Sequence, residues 1–230
     1  LLYLPPKRAR TPEHRSDLAS ISQILYRKHV TALSAVFHAL RLASDAAEAL
    51  MGLPSLALFP PEEYLQMENR SQERHELYDG HIIAMAGGNK AHGIIQVNII
   101  NGLSNRFRDK KRACRPFGSD TRAYVSETKY FYPDVSVFCG KPDVDSLNNW
   151  RDPEVVIEIP SDSTASFDQN EKAAAYRQMP SLKELVLIDS RAKAITIFQK
   201  QADSAWLERS YNGDTSAVTI AGEELPLVEI

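Results

Sequence analysis

Two short runs decide the reading: Phe131-Tyr132-Pro133-Asp134-Val135-Ser136-Val137-Phe138 and, after a polar loop, Val155-Val156-Ile157-Glu158-Ile159. Both are rich in β-branched and aromatic residues, the composition of buried strands, and each carries one acid. Period-two alternation puts Asp134 on the face of Tyr132 and Ser136, with Pro133, Val135 and Val137 on the other face, and puts Glu158 with Val156 and Glu154. If the runs are antiparallel neighbours joined by the loop from Gly140 to Pro153, Asp134 lies opposite Glu158 with Cβ atoms roughly 5 Å apart.

Two carboxylates that close repel one another unless a proton or a cation intervenes. Magnesium suits the position, with manganese as a substitute, because it takes one or two carboxylates and fills its other positions with water and phosphate oxygens. Lys172, in the next helical segment, adds a point charge able to orient water or neutralise developing negative charge. The plainer reading of Lys172 is a surface pair with Asp168 one turn away.

Working outward, 230 residues with 43% hydrophobic and 25% charged content suffice for one well-buried globular domain. Cys114 and Cys139 match neither a zinc-ligand spacing nor a disulfide framework, and they read as reduced thiols of a cytoplasmic protein. Val30 to Ala43 is too short for a membrane span and includes His38 and Arg41, so no membrane partner is expected. Net charge is −3. The first 50 residues hold 7 basic and 4 acidic groups, leaving 20 and 26 beyond them, so the remainder is near −6. Nucleic-acid contact must then be local. The run Arg106 to Arg115 either supplies it or merely complements a helix C-terminus.

Residues 1–50 read as an N-terminal extension: Pro- and Arg-rich to Arg15, then one or two amphipathic helices. From 51 to 230 one domain is expected. Pro60-Pro61-Glu62-Glu63 opens a helix to about Asn69. Asp79-Gly80 between two extended runs marks a hairpin that ends at Gly87-Gly88. Ile95, Ile99, Leu103 and Phe107 form the buried stripe of a helix over Ala91 to Lys111. Thr121 to Val125, Tyr130 to Cys139 and Val155 to Ile159 read as strands. Ser166 and Gln169 cap a helix through Met179, and Glu184 to Asp189, Ala194 to Gln199 and Ala205 to Tyr211 add further strands. The order predicts a mixed α/β (α+β) fold without regular βαβ alternation.

At Pro133-Asp134 and Glu158 the chain resembles the PD-(D/E)xK nuclease superfamily. More closely, it is similar to the Uma family of restriction endonucleases. The blocks that carry the likeness are Glu73 to Gly80 with Ala84 to Gly88, Ser119 to Arg122, Tyr132 to Val135, Val156 to Ser161 with Ser163-Thr164, and Glu171 to Arg177. It covers Met51 to about Ile230. It implies a restriction-endonuclease-like core with helices flanking a central mixed sheet, and a Mg-dependent endonuclease hydrolysing DNA phosphodiesters through metal-activated water.

In that reading Asp134 and Glu158 bind the metal, and Glu76 is a further acid at the site edge. Pro160 stands where the superfamily usually has its lysine, and Lys172 replaces it from the following helix. Asp120, Arg122 and Tyr176 are candidates for the surrounding shell, Asp120 serving equally as a turn residue. His92 reads as a helix-start residue rather than a base. A homodimer would serve the cutting of two strands. The alternative is a catalytically inactive nuclease-fold module that binds DNA or protein. Met51-Gly52-Leu53-Pro54 looks like a family start, so the preceding segment is expected to be an upstream stretch translated from a misplaced start codon.

Overall fold

Asp79 and Gly80 both take positive φ, 47° and 85°, as a two-residue type I′ turn requires. The turn joins β1 (His75–Tyr78) to β2 (His81–Ala84) in the expected antiparallel hairpin. The computed structural model describes residues 58–230 apart from 86, 161–167, 190 and 214, which fall in one unit, Leu58–Ile230. The helices expected in the first 50 residues and the Ser166 cap lie outside the described residues.

Helix α1 (Pro61–Glu68) starts on Pro60-Pro61 with Glu62 and Glu63 in its first turn. Its Tyr64 and Leu65 pack with Leu77 and Tyr130 in a small core of their own. Helix α2 (Lys90–Asp109) is capped by the Asn89 side chain, which accepts from the His92 amide at 2.9 Å. Ile99, Leu103 and Phe107 are its buried stripe.

The run expected as one strand from Tyr130 to Cys139 is two. β5 (Lys129–Phe131) pairs with β1 and with β4 (Ala123–Ser126), completing a four-stranded antiparallel sheet of order β2-β1-β5-β4. β6 (Val135–Cys139) belongs to a different sheet. Between them Tyr132, Pro133 and Asp134 carry the chain across, and Pro133 lacks the N–H that an uninterrupted ladder would need.

The second sheet is six-stranded, of order β10-β9-β8-β7-β6-β3. It comprises β3 (Cys114–Gly118), β7 (Val155–Glu158), β8 (Glu184–Asp189), β9 (Ala194–Lys200) and β10 (Trp206–Tyr211) besides β6. β7 and β8 are parallel and the other pairs antiparallel, so the sheet is mixed. Val135, Val137, Val155, Ile157 and Ile159 share one core with the α2 stripe. Val156, Leu185 and Leu187 share another with Ala173 and Tyr176 of the short helix α3 (Ala173–Tyr176). A turn of π-helix, Asp168–Lys172, leads into α3.

β3, with a proline at its centre, lies at the sheet edge, where a missing N–H costs least. A final hairpin of β11 (Ala217–Ile220) and β12 (Glu223–Pro226) closes the α2 side. Part of the basic run ties it down, since Lys110 and Arg112 pair with buried Glu223 at 2.7 and 2.8 Å, and Arg106 pairs with Glu229 at 3.0 Å. Among the described residues no helix is long and apolar enough to cross a membrane.

The expectation of two reduced thiols is corrected. Cys114 and Cys139 are directly opposite in the β3–β6 register, Cα atoms 3.9 Å apart, and form a disulfide. A separation of 25 residues concealed a pairing that only the strand register creates. Closing a loop of that length removes enough unfolded-state entropy that reduction is expected to lower the unfolding free energy by about 3 kcal/mol. Urea denaturation with and without dithiothreitol measures this, and a Cys114→Ser/Cys139→Ser variant should show the same loss and no response to reductant.

Candidate active site

The β6–β7 register sets Val135 opposite Ile157 and Ser136 opposite Val156. Continued one step, it sets Asp134 opposite Glu158 at the end of the pair. The acids meet through the backbone: Asp134 Oδ2 accepts from the Ile159 amide at 2.7 Å, and Glu158 Oε2 lies 3.4 Å from the Asp134 amide. Both residues are buried.

Lys172 reaches this point from the π-helical turn. Its Nζ is 2.9 Å from Glu158 Oε1 and 2.9 Å from Glu76 Oε1, and the residue is only 4% exposed. The ammonium also lies over the Phe131 ring, 5.5 Å from its centroid, where the π-face adds attraction. Lys172 is therefore a buried ion-pair partner rather than a surface one. Tyr176, one turn on, donates its hydroxyl to Glu158 Oε1 at 2.8 Å. Glu76, on β1, accepts from the Tyr132 amide at 2.8 Å with the same oxygen that meets Lys172. The acid expected at the edge is therefore buried in the cluster.

Asp120 and Arg122 are not brought there. Asp120 is exposed and pairs with Arg74 at 3.4 Å. Buried Arg122 donates to Asn149 Oδ1 and the Leu147 carbonyl, both at 2.6 Å, and to Asn69 Oδ1 at 3.2 Å. It clamps the loop after β6 to the end of α1. Because three polar groups depend on one guanidinium, Arg122→Ala is expected to cost about 2–4 kcal/mol in urea unfolding, a loss Arg122→Lys recovers only partly.

His92, read from the sequence as a helix-start residue, and Gln96 also join the site. The His92 Nε2 is 3.2 Å from Asp134 Oδ1 and its Nδ1 is 3.0 Å from the Ile159 carbonyl. The hydrogen bond to Asp134 raises the imidazole pKa, against the opposing effect of partial burial. One turn on, Gln96 donates to the Asp134 carbonyl at 2.8 Å. A Cβ on residue 88 would fall 2.4 Å from the His92 ring. Glycine there leaves room for the imidazole.

The charge inventory suits a divalent cation. Among the described residues, Asp134, Glu158 and Glu76 bring three buried carboxylates against the Lys172 ammonium and the His92 imidazole, which leaves negative charge in excess. Among the described residues no three His, Cys, Asp or Glu side chains converge as a ready-made cage. An ion held by the paired Asp134 and Glu158 would keep positions for water and phosphate oxygens, which fits magnesium better than a closed structural metal.

A mixed sheet flanked by helices, with two acids meeting at one end of adjacent strands and a lysine beside them, defines a restriction-endonuclease-like protein. Residues 61–227 match the family described as "Uma2: Putative restriction endonuclease", and the chain belongs to that family. Two relatives come from Synechocystis sp., both described as uncharacterized proteins. One, slr1290, is 36% identical over 152 residues, 66% of this chain and 79% of its own. The other, sll1609, is 31% identical over 172 residues, 74% of this chain and 96% of its own. The fold is that of a crystal structure described as a putative nuclease belonging to DUF820 from Anabaena variabilis. That likeness has a TM-score of 0.62 at 15% identity and covers 74% of this chain and 96% of the other.

The Lys172 cluster makes a stability prediction separate from activity. Lys172→Met leaves two carboxylates without their buried counter-charge and is expected to cost about 3–5 kcal/mol. Adding Glu76→Gln should return part of that loss, and urea denaturation of the two variants measures the recovery.

Proposed function

We propose that this protein is a magnesium-dependent endonuclease that hydrolyses DNA phosphodiester bonds, with Asp134, Glu158 and Lys172 as its catalytic residues. The observation that carries the reading is the approach of Lys172 to Glu158, directly beside Asp134. It supports replacement of the lysine displaced by Pro160 with one from the following helical turn.

Asp134 and Glu158 would hold the ion. A divalent cation at such a site supplies Lewis acidity and lowers the pKa of water it binds. The remaining parts fall to the chain's own groups. Tyr176 fixes Glu158 Oε1, the Ile159 amide fixes Asp134 Oδ2, and Glu76 steadies the ammonium. Lys172 orients the attacking water and offsets negative charge growing on the phosphoryl oxygens. A water oxygen bonds to phosphorus as its proton passes to solvent, the P–O bond to the leaving strand breaks, and the leaving oxygen takes up a proton from solvent. No covalent enzyme intermediate is needed.

Cleavage of supercoiled and linear duplex DNA in magnesium or manganese tests the reading. Asp134→Asn, Glu158→Gln and Lys172→Gln should each fall to the level of a protein-free blank. Cleavage by all three at the wild-type rate would exclude this site. DNA binding by the wild type without cleavage in either metal would favour the inactive binding module instead.

A further inference from the structure

The imidazole of His92 sits between two acceptors. Its Nδ1 faces the Ile159 carbonyl at 3.0 Å and its Nε2 faces Asp134 Oδ1 at 3.2 Å. A neutral imidazole carries one N–H, and neither a carbonyl nor a carboxylate oxygen can donate. With Nδ1 donating to Ile159, the Nε2 lone pair would point at a carboxylate oxygen, which is repulsive. Something positive must lie between them, either a proton or a metal ion.

The ring is built into this position. Asn89 caps the helix at the His92 amide, residue 88 has no side chain to obstruct the ring, and Gln96 grips the Asp134 carbonyl from the next turn. A ring N–H donated to a backbone carbonyl is also how metal-binding histidines are oriented, since it leaves the far nitrogen free to coordinate. The 3.2 Å between Nε2 and Oδ1 matches the roughly 3 Å that separates neighbouring ligand atoms sharing an octahedral ion at about 2.1 Å.

We propose that His92 Nε2 is a ligand of the ion held by Asp134, making a mixed nitrogen and oxygen site that prefers Mn2+ to Mg2+. This inference rests on the metal site of the proposed nuclease. Magnesium favours hard oxygen ligands, whereas imidazole suits first-row transition ions. His92 is then a metal-binding residue as well as the residue at the start of α2.

The test is made on the full chain with Mn2+ and Mg2+ as probes. Pulsed electron paramagnetic resonance of the Mn2+ complex should show nitrogen coupling that changes when the histidines carry 15N. This measurement needs no variant to fold. In calorimetry the wild type should bind Mn2+ more tightly than Mg2+, and His92→Gln should weaken Mn2+ by roughly tenfold or more while changing Mg2+ little. Absence of nitrogen coupling, with His92→Gln binding Mn2+ as the wild type does and Asp134→Asn binding none, would overturn the proposal and leave the carboxylate site standing. A wild type that binds neither ion would overturn both.

Discussion

Lys172 is a cation almost wholly removed from water, and the arrangement around it depends on that charge being matched. Burying an ammonium costs several kcal/mol even after local relaxation, so it is tolerable only with carboxylates in contact. Glu76 and Glu158 meet the requirement from two different sheets. The lysine comes from a third element, the π-helical turn before α3. One buried ion cluster thus joins the four-stranded sheet, the six-stranded sheet and the helix that follows β7. Its geometry cannot relax in one part without exposing an unpaired charge in another.

The crossing at Tyr132-Pro133-Asp134 extends that dependence to the other acid. The Tyr132 amide donates to Glu76, and its hydroxyl donates to buried Glu68, which also receives the backbone and ring of His75. These bonds hold the segment between sheets that delivers Asp134 to the start of β6. On the far side, His92 and Gln96 hold the same residue from α2. Asp134 is therefore fixed by its neighbours on the sheet and by the helix across it, while Glu158 is fixed by Lys172 and Tyr176. Such bracing keeps the two acids together at the strand ends.

Much of this was legible from local pattern. The Asp79-Gly80 hairpin, the four-residue stripe of α2 and the alternation that puts Asp134 and Glu158 on facing positions follow from short-range rules, and the structure follows them. Reading failed where a residue's meaning lay in a distant partner. β3, with Pro116 at its centre, was not among the expected strands and is placed only by its pairing with β6 at the sheet edge. Tyr130 to Cys139 looked continuous because strand composition does not reveal which sheet each half joins. His92 looked like a helix start, which it is, and nothing local pointed to an acid 42 positions further along.

The sequence by itself determined the kinds of element, the turn chemistry and the two acids with their strand parity, because propensity, capping and period-two alternation act within a few residues. It also carried the family likeness that brought Lys172 forward in place of Pro160. Tertiary structure alone decided that Lys172 is buried between Glu76 and Glu158, that Arg122 serves a loop, that Cys114 and Cys139 are bonded, and that His92 faces Asp134. Each of these depends on register or on the crossing of one layer over another. Contacts of that sort are chosen by burial and charge balance over the whole domain, which no local window contains.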